Sequence, residues 1–137
     1  LTGKLVQCHC YPDNLYELAP RHDGDRLTCK FILVESPESL HFVAGPITQF
    51  KYHATLADKF CAQLKLPYAW VHKPDQGQIY DKRYKIRGGG VLTVDRSAGL
   101  VRVFGVSRAY GPYKTEEVRR ALEVCPHLNV LTLVIDG

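Results

Sequence analysis

The chain has 137 residues, 45% of them hydrophobic, which suits one domain with a real core. The net charge of +4, with six His counted neutral, allows an anionic ligand but falls short of the basic signature of a dedicated nucleic-acid binder. No apolar run approaches the ~18–20 residues a bilayer demands, so no membrane insertion is expected.

The N-terminal Leu1-Thr2-Gly3-Lys4-Leu5-Val6 is too short an apolar stretch for a signal peptide. There is no Met anywhere, which predicts a processed N-terminus or a piece of a longer precursor. A cleaved organelle-targeting peptide and simple trimming both account for it. The five Cys are scattered and odd in number, which favours a reducing intracellular compartment, cytoplasmic or mitochondrial. Cys8-His9-Cys10 is the one local cluster. Its spacing, with no second ligand pair nearby, is poor for zinc, so no metal and no cofactor are expected. Residues 1–14 are expected to form an irregular N-terminal extension of a single domain spanning 1–137.

An extended piece is expected around Leu15 to Ala19, and His22-Asp23-Gly24-Asp25 reads as a turn. Leu27 to Val34 is apolar and β-rich, with Lys30 its one charge. Leu40 to Ala44 is a second strand, closed by Gly45-Pro46. Leu56, Ala57, Phe60, Cys61 and Leu64 recur at helical spacing and predict a helix that starts between Thr48 and Tyr52 and is ended by Pro67. His53 lies in its early turns. Pro67 to Arg87 is the least regular stretch, where Tyr68, Trp70, Tyr80 and Tyr84 alternate with Lys73, Lys82, Arg83, Lys85 and Arg87. Gly88-Gly89-Gly90 then opens a hairpin of Val91–Val94 and Leu100–Val106 about a turn at Asp95 to Gly99. Thr115 predicts an N-cap for a second helix, followed by Glu116 and Glu117, with Val118, Ala121, Leu122 and Cys125 on its apolar face. Pro126 stops that helix, and Val130 to Ile135 is a final buried strand. One mixed sheet of about six strands flanked by two helices, an α/β fold, buries every stripe.

Three features carry candidate chemistry. The imidazole of His53 can accept a proton or act as a nucleophile near neutral pH. Ser107-Arg108-Ala109-Tyr110-Gly111-Pro112 follows a strong strand, and a sharp turn of small residues there can aim backbone N–H groups at a phosphate. The triple glycine fits neither a P-loop nor a dinucleotide fingerprint, so it marks a bulge or a close backbone approach.

In order, Lys30-Phe31-Ile32-Leu33-Val34, Tyr52-His53-Ala54, the triple glycine, the Ser-x-Ala-Tyr-Gly-Pro loop and a strand ending in Asp136-Gly137 resemble the phosphohistidine phosphatase, or Janus/Ocnus, family. The resemblance runs from about Leu15 to Gly137. It implies a metal-independent phosphatase that removes phosphate from histidine in proteins, with His53 as base or nucleophile. It further implies that Lys30, Ser107 and Ala109 hold the phosphate. Two family Arg positions are occupied by Ala44 and Val91, and Arg87 or Arg108 are the candidates to replace the lost charge.

A rival reading keeps the fold and drops the catalysis. A degenerate relative would serve as a structural or RNA- or protein-binding subunit of a larger assembly, with a mitochondrial one among the options. Tyr68 and Trp70 would stack on bases or a partner, and Lys82, Arg83, Lys85 and Arg87 would meet phosphates.

Overall fold

The structure, a computed structural model, describes residues 4–18, 26–70 and 77–136. The chain runs β1 (Leu5–Cys10), a 3-10 turn (Leu15–Leu18), β2 (Leu27–Glu35), β3 (Ser39–Pro46), α1 (His53–Leu64), β4 (Tyr68–Trp70), β5 (Gly77–Ile79), β6 (Lys85–Asp95), β7 (Leu100–Phe104), α2 (Thr115–Val124) and β8 (Thr132–Ile135). Six strands form one mixed sheet in the order β1-β3-β2-β6-β7-β8, and β4 and β5 make a separate two-stranded ribbon. The outer pairs β1–β3 and β7–β8 are parallel, and the inner pairings are antiparallel. The expected α/β architecture is the one observed.

The two-residue period of the strands divides the core between the helices. Phe31 and Leu33 of β2, Leu40 and Phe42 of β3 and Leu92 of β6 share one cluster with Val118, Ala121 and Leu122 of α2. Ile32, Val34 and Val43 point the other way and pack with Leu56, Ala57, Phe60 and Cys61 of α1. Strand β2 is thus covered on both faces, which explains its almost unbroken apolar run. Lys30 falls on the α1 side by the same alternation, at the end of the strand where α1 begins. Among the described residues no helix is long and apolar enough to cross a membrane.

Several expectations need correction. Residues 1–14 are not wholly irregular, because Leu5–Cys10 forms an edge strand in register with Ser39–Ala44. Cys8 is disulfide-bonded to Cys125 with the two Cα atoms 5.9 Å apart, so neither is the free thiol expected. Cys61 is free and buried in the α1 cluster, as its helical position suggested. Leu15 to Leu18 is a 3-10 turn rather than an extended piece. The turn at His22–Asp25 lies outside the described residues. Thr115 is the first helical residue, and Lys114 occupies the N-cap without a side-chain bond. The triple glycine lies inside β6 rather than at its start. Helix α1 ends before Pro67: Lys65 adopts a left-handed φ of 57°, and the Leu66 N–H closes onto the Cys61 carbonyl at 2.8 Å.

A buried polar chain crosses the α1 side of the sheet. His9 Nε2 lies 3.0 Å from His41 Nδ1, and His41 Nε2 lies 3.2 Å from Ser36 Oγ. Burial lowers the His41 pKa to about 4, and the His9 charge pushes it the same way. The unfolded ring titrates near its ordinary 6.5, so between the two values the unfolded chain binds more protons. The stability linked to His41 is therefore complete above pH 6.5 and is lost as the pH falls toward 4. His41→Gln is expected to shrink the difference in urea midpoint between about pH 7 and about pH 4.5. An unchanged difference would show that His41 does not drive the acid loss.

Candidate functional site

The turn between β3 and α1 delivers His53 to the sheet. The Gln49 and Phe50 N–H groups both bond to the Pro46 carbonyl, and the Phe50 ring fills the space that a side chain at position 45 would need. Tyr52 is the N-cap in extended geometry and makes no side-chain capping bond. The first N–H groups to turn back into the helix are those of Thr55 and Leu56, both to the Tyr52 carbonyl. The N–H groups of His53 and Ala54 precede them, at the positive end of the helix.

The His53 ring is buried, with Nε2 2.8 Å from the Gly90 carbonyl of β6. A carbonyl only accepts, so Nε2 carries the hydrogen and Nδ1 keeps the lone pair of the neutral ring. Burial is the largest influence on its pKa and lowers it. The Gly90 bond works against that shift, and the Lys30 charge adds to it. The ring is thus neutral near neutral pH and able to take a proton at Nδ1.

The three glycines make room for this arrangement. Gly88 has φ +128°, and a Cβ there would strike the Pro112 carbonyl. A Cβ on Gly89 would sit 2.5 Å from the Phe31 carbonyl oxygen and 3.1 Å from His53 Cδ2. A Cβ on Gly90 would meet the Tyr113 ring at 2.9 Å. The register with β2 also shifts here, with Leu33 opposite Gly88 and Val34 opposite Ile86. Close approach and bulge are therefore both present.

In front of His53 lies a hollow of about 270 Å³ lined by Lys30, Lys51, His53, Arg108 and Ala109, with Tyr52 and Val106 completing its walls. Burial lowers the Lys30 pKa. The structure brings Lys30, His53, Arg108 and Ala109 together around one space. Ser107 stands behind that lining. Its N–H is taken up by the Gly89 carbonyl at 3.0 Å and the Gly111 carbonyl at 3.3 Å, and its Oγ accepts from the Tyr110 N–H. Ser107 thus shapes the loop, and the Ser107 backbone N–H proposed to face phosphate is already engaged. Gly111, at φ +83°, closes the turn by bonding to the Ser107 carbonyl.

Of the two candidates to replace the family arginines, only Arg108 reaches the hollow. Arg87 is drawn to the far end of β6, where it pairs with Glu117 at 3.1 Å and Glu35 at 3.3 Å. Ala44 is buried in the core on the α2 side, and Val91 pairs with Lys30 across the sheet. Lys51 was missed as a site residue. Its only sequence signal is its place two residues before His53.

The aromatic and basic stretch divides. Tyr68 turns inward and bonds to the Ala54 carbonyl, whereas Trp70 is 43% exposed. Lys82 and Lys85 are exposed, and Arg83 folds onto Asp81. Lys73 lies outside the described residues. Among the described residues no cluster of three His, Cys, Asp or Glu side chains could hold a metal ion.

The chain matches the model of the Janus/Ocnus family over residues 26–127. The matched span contains Lys30, His53, the three glycines and the Ser107–Gly111 loop, and leaves β1 outside. A search of curated proteins gave no match.

Because the Gly89 position is crowded by backbone and by the His53 ring, Gly89→Ala is expected to cost about 1–3 kcal/mol in stability. It should also move the His53 ring resonances in NMR spectra. A variant with wild-type stability and an unmoved His53 would contradict the crowding.

Proposed function

The chain belongs to the Janus/Ocnus family, and on that footing we propose that it is a metal-independent phosphatase acting on phosphohistidine in proteins. The observation that carries this reading is the convergence of the neutral His53 imidazole with Lys30, Lys51 and Arg108 on one hollow of about 270 Å³, roomy enough for a phosphoryl group.

Phosphoryl transfer depends on positioning and on charge stabilisation more than on covalent chemistry by the protein. The three cations would offset the charge of the phosphoryl oxygens. The N–H groups of His53 and Ala54 add the partial positive charge of a helix N-terminus. His53 Nδ1 would take a proton from a water attacking phosphorus. The P–N bond then breaks, and the proton passes to the departing imidazole of the substrate. In the alternative route Nδ1 itself attacks phosphorus as the substrate's P–N bond breaks and the departing imidazole takes a proton from water. A second water later hydrolyses the new bond to His53, releasing phosphate. Both routes need the lone pair on Nδ1, which the Gly90 bond provides.

A second reading draws on the uncharged Ala44 and Val91 and on the exposed Trp70 and Tyr80. It is a non-catalytic subunit of a larger assembly that binds RNA or protein. Under it, a salt-dependent shift with single-stranded RNA should weaken when Lys82, Arg83 and Lys85 become Ala. Arg87 drops out of that surface because its charge is committed to Glu35 and Glu117.

Phosphate release from a phosphohistidine peptide decides between the readings. His53→Ala is expected to lower kcat by about 10²–10⁴-fold, and equal rates would remove His53 from the mechanism. Lys51→Ala and Arg108→Ala should each raise KM for the peptide, and an unchanged KM would detach these cations from the substrate. The acid limb of kcat/KM should lie below the ordinary 6.5 of histidine, because burial lowers the His53 pKa. A limb above 6.5 would assign it to another group.

A further inference from the structure

The ribbon of β4 and β5 makes contacts that the proposed reaction does not yet explain. Tyr68 Oη lies 2.9 Å from the Ala54 carbonyl, in the first turn of α1 beside His53. It lies 2.8 Å from Tyr110 Oη, which belongs to the Ser107–Gly111 loop. Tyr110 Oη in turn lies 3.1 Å from the Gly77 carbonyl of β5. Two hydroxyls own two hydrogens, and three short contacts compete for them. The shortest pair of contacts is satisfied when Tyr110 donates to Tyr68 and Tyr68 donates to Ala54. Burial pushes the Tyr68 phenol up to about 12 and Tyr110 higher still, so both remain protonated donors.

Gly77 bears independently on where the Tyr68 hydroxyl can sit. It is buried and pairs with Trp70 across the ribbon, and a Cβ there would collide with the Tyr68 hydroxyl and the carbon that bears it. The absence of a side chain at Gly77 is what allows the hydroxyl to lie between the helix and the loop.

The two halves of the hollow come from different parts of the chain. One is the start of α1 with Lys51 and His53, and the other is the loop with Arg108 and Ala109. Tyr68 bridges them. We propose that Tyr68, acting with Tyr110 and given room by Gly77, is a positioning residue that holds the Arg108–Ala109 side of the hollow at a fixed distance from His53. The proposal rests on the phosphatase reading for its biological purpose, but only on an anion-binding hollow for its test. Tyr68 does not line that hollow and touches no reacting atom. Its influence passes through the Ala54 carbonyl and the Tyr110 ring.

The test compares wild type with Tyr68→Phe, Tyr110→Phe, the double variant and Gly77→Ala. Inorganic phosphate is titrated while the amide resonances of His53 and Ala109 are followed, and thermal unfolding is recorded for each protein. Loss of one such hydrogen bond should weaken phosphate binding about 5–10-fold. The double variant should be no worse than either single one, because the two hydroxyls act as one link. Gly77→Ala should reproduce the loss with both tyrosines present. On a phosphohistidine peptide the variants should raise KM more than they lower kcat and leave the acid limb of His53 in place. Unchanged phosphate affinity in Tyr68→Phe overturns the proposal, as does a loss no larger than the fraction of protein unfolded. Wild type that binds phosphate but releases none from the peptide defeats the phosphatase reading, while the titrations still decide the role of Tyr68. Wild type that binds no phosphate at all overturns both.

Discussion

The contact on which the site depends is the hydrogen bond from His53 Nε2 to the Gly90 carbonyl. It joins the first residue of α1 to the strand at the centre of the sheet, and in doing so selects one tautomer. The bond forms only because the backbone of β6 is bare where the ring approaches. Gly89 lies against the ring edge, and Gly90 is hemmed by Tyr113 on its other side. A strand would ordinarily carry branched side chains at such positions. The loss of packing over three residues is the cost of bringing an imidazole onto the sheet.

Charge is sorted between the two ends of β2. At one end Lys4, Glu35, Arg87 and Glu117 form one connected group of ion pairs. At the other, Lys30, Lys51 and Arg108 converge on the hollow, with no acidic residue among its lining. Arg87 and Arg108 thus have the same chemistry and opposite fates, decided by which partners the fold supplies. The lowered pKa of the half-buried Lys30 fits a cation that loses hydration on burial.

Much of this was legible in the residues. The apolar run of β2, the helical stripe of α1 and the acidic start of α2 are strong periodic signals, and the structure places elements there. His53 and the Ser-Arg-Ala loop could be singled out because short motifs in a fixed order resembled one family. The strand at Leu5–Cys10 escaped because an edge strand with Gln7 and His9 between half-buried residues has little apolar contrast. The disulfide escaped for a different reason: sequence spacing says nothing about which cysteines meet across 117 positions. Arg87 and Lys51 could not be ranked by sequence, since both are bases near a motif. Only the bulge in β6 and the turn before α1 determine which one faces the hollow.

The Cys8–Cys125 bond closes residues 8–125 into a covalent ring. Lys30, His53, the glycines and the Ser107 loop all lie inside it. A pull applied to the two chain ends would therefore run through the sulfur bridge and bypass the hollow. A single backbone cut anywhere within the ring would leave both pieces tethered. Strand β1, which lies outside the matched family span, is thereby the clasp that fastens the two ends of the ring together.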